Sequence, residues 1–159
     1  MPSDPEYRLV VAKAARRLRL YAGDALLEEF TVAIGRNALA DKHVEGDEAT
    51  PLGEFTICAK NPRSRYCRSL CLSYPNAEDA ERGLRSGLIS GDEHAAILDA
   101  LAAGRMPPQK TRLGGEIYLH GHAENGGDGA TRGCIALADE AIVRLFDLLA
   151  LGTPVTILP

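Results

Sequence analysis

Cys134 and His120 are the two side chains whose types and settings could make a covalent catalyst. Cys134 follows Gly133 at the end of a polar, glycine-rich stretch, which is not the usual setting of a core thiol. His120 closes Glu116–His120, an expected strand in which Ile117 and Leu119 face one way and Tyr118 and His120 the other. A thiol of ordinary pKa is only a few per cent ionised at pH 7. A neighbouring imidazole can take its proton and later return it to a leaving amine. Gly133 lets backbone approach a ligand without a Cβ in the way, and backbone N–H groups at Gly133 and Cys134 could hold a developing oxyanion. Together these groups would suit thiol acyl transfer. Spacing alone does not bring them together: a structural thiol and a surface imidazole would read the same.

The other candidates for chemistry have plainer readings. Cys58, Cys67 and Cys71 read as buried or half-buried thiols. Cys67 and Cys71 fall in Tyr66–Tyr74, whose alternation predicts a strand, and residues four apart on a strand lie about 13 Å apart, too far for a disulfide. His122 makes His-x-His with His120, so zinc shared with Cys134 is conceivable. Only Asp128 could add an oxygen donor, and the reading is a surface His122 with no metal and no cofactor. Arg132 beside the thiol could clasp a substrate carboxylate, as could Arg63 and Arg65, or all three could be solvated. His43 and His94 are given no role.

The elements that must position these groups read as a β-meander followed by helices. Arg8–Ala12, then Leu18, Leu20 and Ala22 in alternation, then Phe30, Val32 and Ile34 up to Gly35 predict three strands. A polar loop over 37–51 precedes strands at Gly53–Cys58 and Ser69–Tyr74. Pro75-Asn76 could open a helical turn through Arg82. Ser90 and Glu93 form a capping box for a helix ending near Gly104. Residues 83–111 thus read as a helical insertion within a single domain spanning 7–159. Asp139 is expected to cap a helix through Ala150, whose stripe is Ile142, Leu145, Phe146 and Leu149; Pro154–Leu158 is a last strand. The fold class is β-rich α+β: a mostly antiparallel sandwich or barrel-like sheet with peripheral helices.

The chain of 159 residues is 45% hydrophobic and 25% charged, as in ordinary globular proteins. A net charge of −4 gives no basic field for nucleic acid. No apolar run is long enough to span a bilayer. Met1-Pro2-Ser3-Asp4-Pro5-Glu6 has no basic region followed by an apolar one, so no signal peptide is expected in the sequence as it stands. A cytoplasmic protein would begin this way, and so would the mature form of an exported one.

His-Gly, a glycine-rich stretch, then Thr131-Arg132-Gly133-Cys134-Ile135 resembles the signature of the L,D-transpeptidase catalytic domain, the YkuD family. The resemblance extends to Leu9–Leu18 with Leu20-Tyr21, to Val32–Gly35, and to Lys42, Gly46-Asp47 and Thr50-Pro51-Leu52-Gly53-Glu54-Phe55. Leu72-Ser73-Tyr74-Pro75-Asn76 and the last helix and strand also fit. The resemblance implies Cys134 as nucleophile, His120 as base and acid, Gly121 as the carbonyl that orients it, and Gly133 at the oxyanion hole. It implies a peptidoglycan stem peptide as substrate. The thiolate would attack the carbonyl of the third residue, expel the terminal D-alanine, and pass the acyl group to an amine. Arg132, Thr131, Asp47, Thr50 and Tyr74 are the candidates for substrate contact. The periplasm or cell wall would be the place of work.

Two positions depart from the signature. The histidine usual before Gly-Cys is Arg132, and the arginine usual two residues after Cys is Ala136. Gly133-Cys134-Ile135-Ala136 is more similar to the YafK-like branch, which includes an enzyme that releases an outer-membrane lipoprotein from the wall. Two rivals therefore stand beside transpeptidation: a hydrolase of the same fold that frees D-alanine or lipoprotein, and a module that binds peptidoglycan without catalysis.

Overall fold

A computed structural model describes residues 6–123 and 130–159. Eight strands form one sheet: β1 Tyr7–Ala12, β2 Arg17–Ala22, β3 Ala25–Thr31, β4 Gly53–Asn61, β5 Ser69–Leu72, β6 Tyr118–His120, β7 Ile135–Ala136 and β8 Pro154–Leu158. Their order is β3-β2-β1-β8-β4-β5-β6-β7. β1–β8 and β6–β7 are parallel pairs, and the remaining neighbours are antiparallel. The sheet curls until its two edges meet, because Ala33 bridges Ala136 and Gly35 bridges Thr131. The expected strand through Ile34 is thus divided. β3 stops at Thr31, and Val32 and Ile34 turn into the core while the chain crosses to the far edge.

Alternation builds the inner face. Leu9 and Val11 of β1, Leu18 and Leu20 of β2, Phe55 and Ile57 of β4, and Val155 and Ile157 of β8 are buried together. α3 (Asp139–Leu148) lays Ile142 and Leu145 on this core, with Leu149 just beyond its end. α1 (Ala77–Arg85) and α2 (Gly91–Ala102) pack on each other around Ala80, Ile89, Ile97 and Leu113. Both start in capping boxes, Asn76 with Asp79 and Ser90 with Glu93, each worth about 1 kcal/mol. The helical segment thus opens at Ala77, ahead of residue 83. Among the described residues no helix is long and apolar enough to cross a membrane.

Three local expectations are corrected. Tyr66–Arg68 is a turn with Cys67 at φ 73°, so Cys67 lies off the strand and only Cys71 is on β5. His122 has left β6 and sits at φ 65°, so it does not share a strand face with His120. Asp139 is the first residue of α3 rather than its cap; the cap position is Ala138, and the Asp139 carboxylate turns to His122 instead.

Candidate active site

The parallel pairing of β6 with β7 assembles the site. Leu119 faces Ile135 across this pair, and both side chains are fully buried in the core. With a period of two, the opposite face then carries Tyr118 and His120 from one strand and Ala136 from the other, with Cys134 one step before it. Cys134 and His120 so line one open cleft of about 1110 Å³, together with Tyr66, Glu116, His122 and Arg132. A smaller cleft of about 400 Å³ adjoins it, sharing Arg65, Tyr66, Glu116 and Tyr118.

His120 is fixed on two sides. Its Nδ1 lies 2.7 Å from the Gly121 carbonyl. A carbonyl only accepts, so Nδ1 carries the proton and Nε2 presents a lone pair. The Tyr66 ring stacks on the imidazole at 4.4 Å between centroids. Burial lowers the His120 pKa, partly offset by the Gly121 carbonyl, and nearby His122 lowers it further. Gly121 has no room for a side chain: a Cβ there would lie 2.7 Å from both Asp139 Oδ1 and the Tyr66 carbonyl.

The Cys134 thiol donates to the Glu116 carbonyl at 3.1 Å, and among the described residues no hydrogen bond joins it to His120. Burial raises its pKa; the Tyr118 backbone N–H and Lys42 act the other way. Glu116 is itself held at φ 57° by Gln109, whose Oε1 accepts its N–H at 2.6 Å. Gln109 Nε2 in turn donates to the carbonyls of Tyr74 and Pro107, both at 2.8 Å. Gly133 adopts φ 138°, and a Cβ there would press on the Ala49 carbonyl at 3.0 Å. Its N–H already donates to Thr131 Oγ1 at 3.0 Å, which leaves the Cys134 N–H as the nearer candidate for an oxyanion.

The other residues singled out from sequence divide in two. Arg132 is exposed in the cleft, and among the described residues it has no ion-pair partner. Thr131 lines the cleft, but its hydroxyl is engaged, donating to the Cys134 carbonyl at 2.6 Å. Thr50, Asp47 and Tyr74 do not line it. Thr50 is buried, its Oγ1 accepting from Gly35 N–H and donating to the Gly133 carbonyl, each at 2.8 Å. Asp47 closes its own turn by accepting from His43, Val44 and Ala49 N–H groups and from Lys42. Those bonds hold its carboxyl below the ordinary range despite partial burial. Tyr74 is fully buried and donates its hydroxyl to the Leu113 carbonyl at 2.6 Å. Arg65 lines the cleft and Arg63 does not. Cys58, Cys67 and Cys71 are free thiols, and Cys71 is buried. Asp128 lies outside the described residues. Among those described, no three His, Cys, Asp or Glu side chains converge as metal ligands would.

Sequence reasoning missed Tyr66, Glu116 and Gln109. Their parts depend on a ring face, a carbonyl and a bridging amide, none of which leaves a spacing pattern. The double glycine ahead of Glu116 was the one available sign of tight backbone packing there.

The fold has solved counterparts. The helical cell shape determining protein Pgp2 of Campylobacter jejuni is 24% identical with a TM-score of 0.65, covering 98% of this chain and 48% of that one. Bd1075 of Bdellovibrio bacteriovorus is 21% identical with a TM-score of 0.62, covering 96% and 48%. An L,D-transpeptidase from Mycobacterium smegmatis is 13% identical with a TM-score of 0.59, covering 98% and 59%. The chain therefore spans about half to three-fifths of the length of these proteins. At such identities the likeness concerns the fold. No curated protein matches the chain. The family model described as the L,D-transpeptidase catalytic domain matches residues 6–157, and with nearly the whole sequence inside that match the chain belongs to the YkuD family.

Proposed function

We propose that this domain is a cysteine acyltransferase acting on peptidoglycan stem peptides in the periplasm or cell wall. The observation that carries the proposal is the placing of Cys134 and His120 on one face of β6 and β7 in an open cleft, with His120 Nδ1 tied to the Gly121 carbonyl. That tie leaves Nε2 as the acceptor for the thiol proton. Sγ then attacks the carbonyl of the third stem residue, and the oxyanion meets the Cys134 N–H. The C–N bond to the terminal D-alanine breaks, and the His120 imidazolium returns its proton to the departing amine. An amine acceptor next attacks the thioester, gives up a proton and releases the thiol. Arg132 and Arg65 offer guanidinium groups to the carboxylates of such a stem.

Hydrolysis is the second reading, favoured by one observation. Ala136 stands where an arginine is usual, and it is packed edge to edge with Ala33 by two backbone hydrogen bonds of 2.9 Å. Ala136 lines the cleft, so without that arginine the cleft has one fewer cation to hold a second stem, which favours water as the acceptor or release of a lipoprotein. Product analysis separates the readings. A disaccharide-tetrapeptide muropeptide should yield dimers if the domain is a transpeptidase, and free tripeptide alone if it is a hydrolase. A lipoprotein-linked muropeptide tests release. No product from either substrate, with binding retained, would leave the binding-module reading in place of both.

A further inference from the structure

We propose that His122 is a second base in the cleft, held by Asp139 and used to activate the acceptor that resolves the acyl-enzyme. His122 lines the same cleft as Cys134 and His120. Its backbone N–H donates to Asp139 Oδ1 at 2.7 Å, and its Nδ1 lies 2.8 Å from the same oxygen. A carboxylate oxygen accepts both bonds, so Nδ1 bears hydrogen and Nε2 presents a lone pair, as His120 does through Gly121. His122 keeps the left-handed φ of 65°, which residues with a Cβ seldom adopt. The packing on Gly121 leaves the His-Gly-His segment little freedom, since a Cβ at that glycine would meet Asp139 Oδ1 at 2.7 Å.

The two imidazoles flank one ring. Tyr66 stacks on His120 at 4.4 Å and meets His122 edge-on at 6.3 Å. They differ in access. His120 is half-buried beneath Tyr66, whereas the His122 side chain is 49% exposed, where an acceptor arrives from solvent. That contrast suits a division of labour. His120 serves the thiol and the leaving amine. His122 Nε2 takes the acceptor's proton while the acceptor oxygen or nitrogen bonds to the thioester carbon. The C–S bond breaks, and the Cys134 thiolate regains a proton from the His122 imidazolium through solvent in the cleft. Asp139 is a positioning residue acting through His122.

The inference rests on Cys134 as the acyl acceptor, and its test uses an activated ester so that it does not depend on stem recognition. The full chain is treated with p-nitrophenyl acetate. Nitrophenolate release reports acetylation, and mass spectrometry follows the decay of the acetyl group on Cys134. H122N keeps an N–H where Nδ1 donates to Asp139 but has no Nε2. It should acetylate at the unaltered rate and deacetylate roughly 100-fold more slowly, the lower end of what a general base contributes. D139A removes the accepting carboxylate, should behave as H122N, and stands in for it if H122N does not fold. Unchanged decay in H122N and D139A overturns the inference, and so does an equal loss in both steps. A muropeptide left unprocessed by a protein that turns over the acetyl ester would count against the stem-peptide reading alone.

Discussion

Cys134 gives its thiol hydrogen to the Glu116 carbonyl at 3.1 Å and not to the imidazole of His120, which shares its face of the sheet. Burial pushes the thiol up and the imidazole down, so both rest neutral at pH 7. On the proposed mechanism the Cys134 thiol would then be deprotonated during attack rather than held as a preformed thiolate–imidazolium pair. Alkylation of Cys134 by iodoacetamide should be slow at pH 7 and reach its midpoint above the ordinary thiol value of 9.0. The acid limb of the acylation rate should fall below the ordinary imidazole value of 6.5, since His120 must be neutral to accept the proton. An alkylation midpoint well under 8 would indicate an ion pair and contradict this picture.

Thr50 couples the loop over 37–52 to the backbone beside Cys134. Its buried hydroxyl bridges the Gly35 N–H and the Gly133 carbonyl. Thr50→Val keeps the shape and orphans both groups, at a cost of roughly 1–3 kcal/mol for each left unsatisfied. Chemical denaturation followed by circular dichroism should show that loss, with acylation reduced because Gly133 precedes Cys134. A fully stable, fully active variant would show that the bridge is dispensable.

Gly121→Ala tests the packing that orients His120. The added methyl would lie 2.7 Å from Asp139 Oδ1 and the Tyr66 carbonyl and 3.0 Å from Cys67 Cβ. Two of these are fixed by backbone or by a paired carboxylate, so the segment must move, at about 1–3 kcal/mol for overpacking. Thermal unfolding should fall accordingly, and acylation should fall at least as steeply as in a His120→Asn variant. Retained acylation in the alanine variant would mean that the Gly121 carbonyl does not set the imidazole.

The meander, the Ser90–Glu93 capping box and the strand carrying His120 were legible in the sequence, because each is a local pattern of alternation or end chemistry, whereas Asn76 read only as opening a helical turn and its box with Asp79 emerges from the structure. The His120–Cys134 pair was legible only through the family signature. Its geometry depends on parallel pairing of β6 with β7, Leu119 and His120 against Ile135 and Ala136, which no spacing rule supplies. Asp139 shows the limit most clearly. An acidic residue ahead of an apolar stripe reads as a helix cap, yet its carboxylate is drawn 17 residues back to His122. Thr50, Asp47 and Tyr74 show another limit. The signature marks them, and their side chains serve the scaffold beneath the cleft, a distinction that the burial of Thr50 and Tyr74 and the turn-closing hydrogen bonds of Asp47 reveal.

His120→Asn should lower the acylation rate by roughly 10²–10⁴ while leaving the fold intact, since the ring is only half-buried. Stopped-flow release from an activated ester measures it, and an unchanged rate would remove His120 from the mechanism.

On the proposed mechanism Cys134 becomes acylated by a stem peptide. Intact-protein mass spectrometry after brief exposure to a disaccharide-tetrapeptide muropeptide tests it most directly, with Cys134→Ala as control. The expected result is a mass increase equal to the muropeptide less D-alanine, mapped to Cys134 and absent from the alanine variant. Turnover of the muropeptide by Cys134→Ala at the unaltered rate would contradict it.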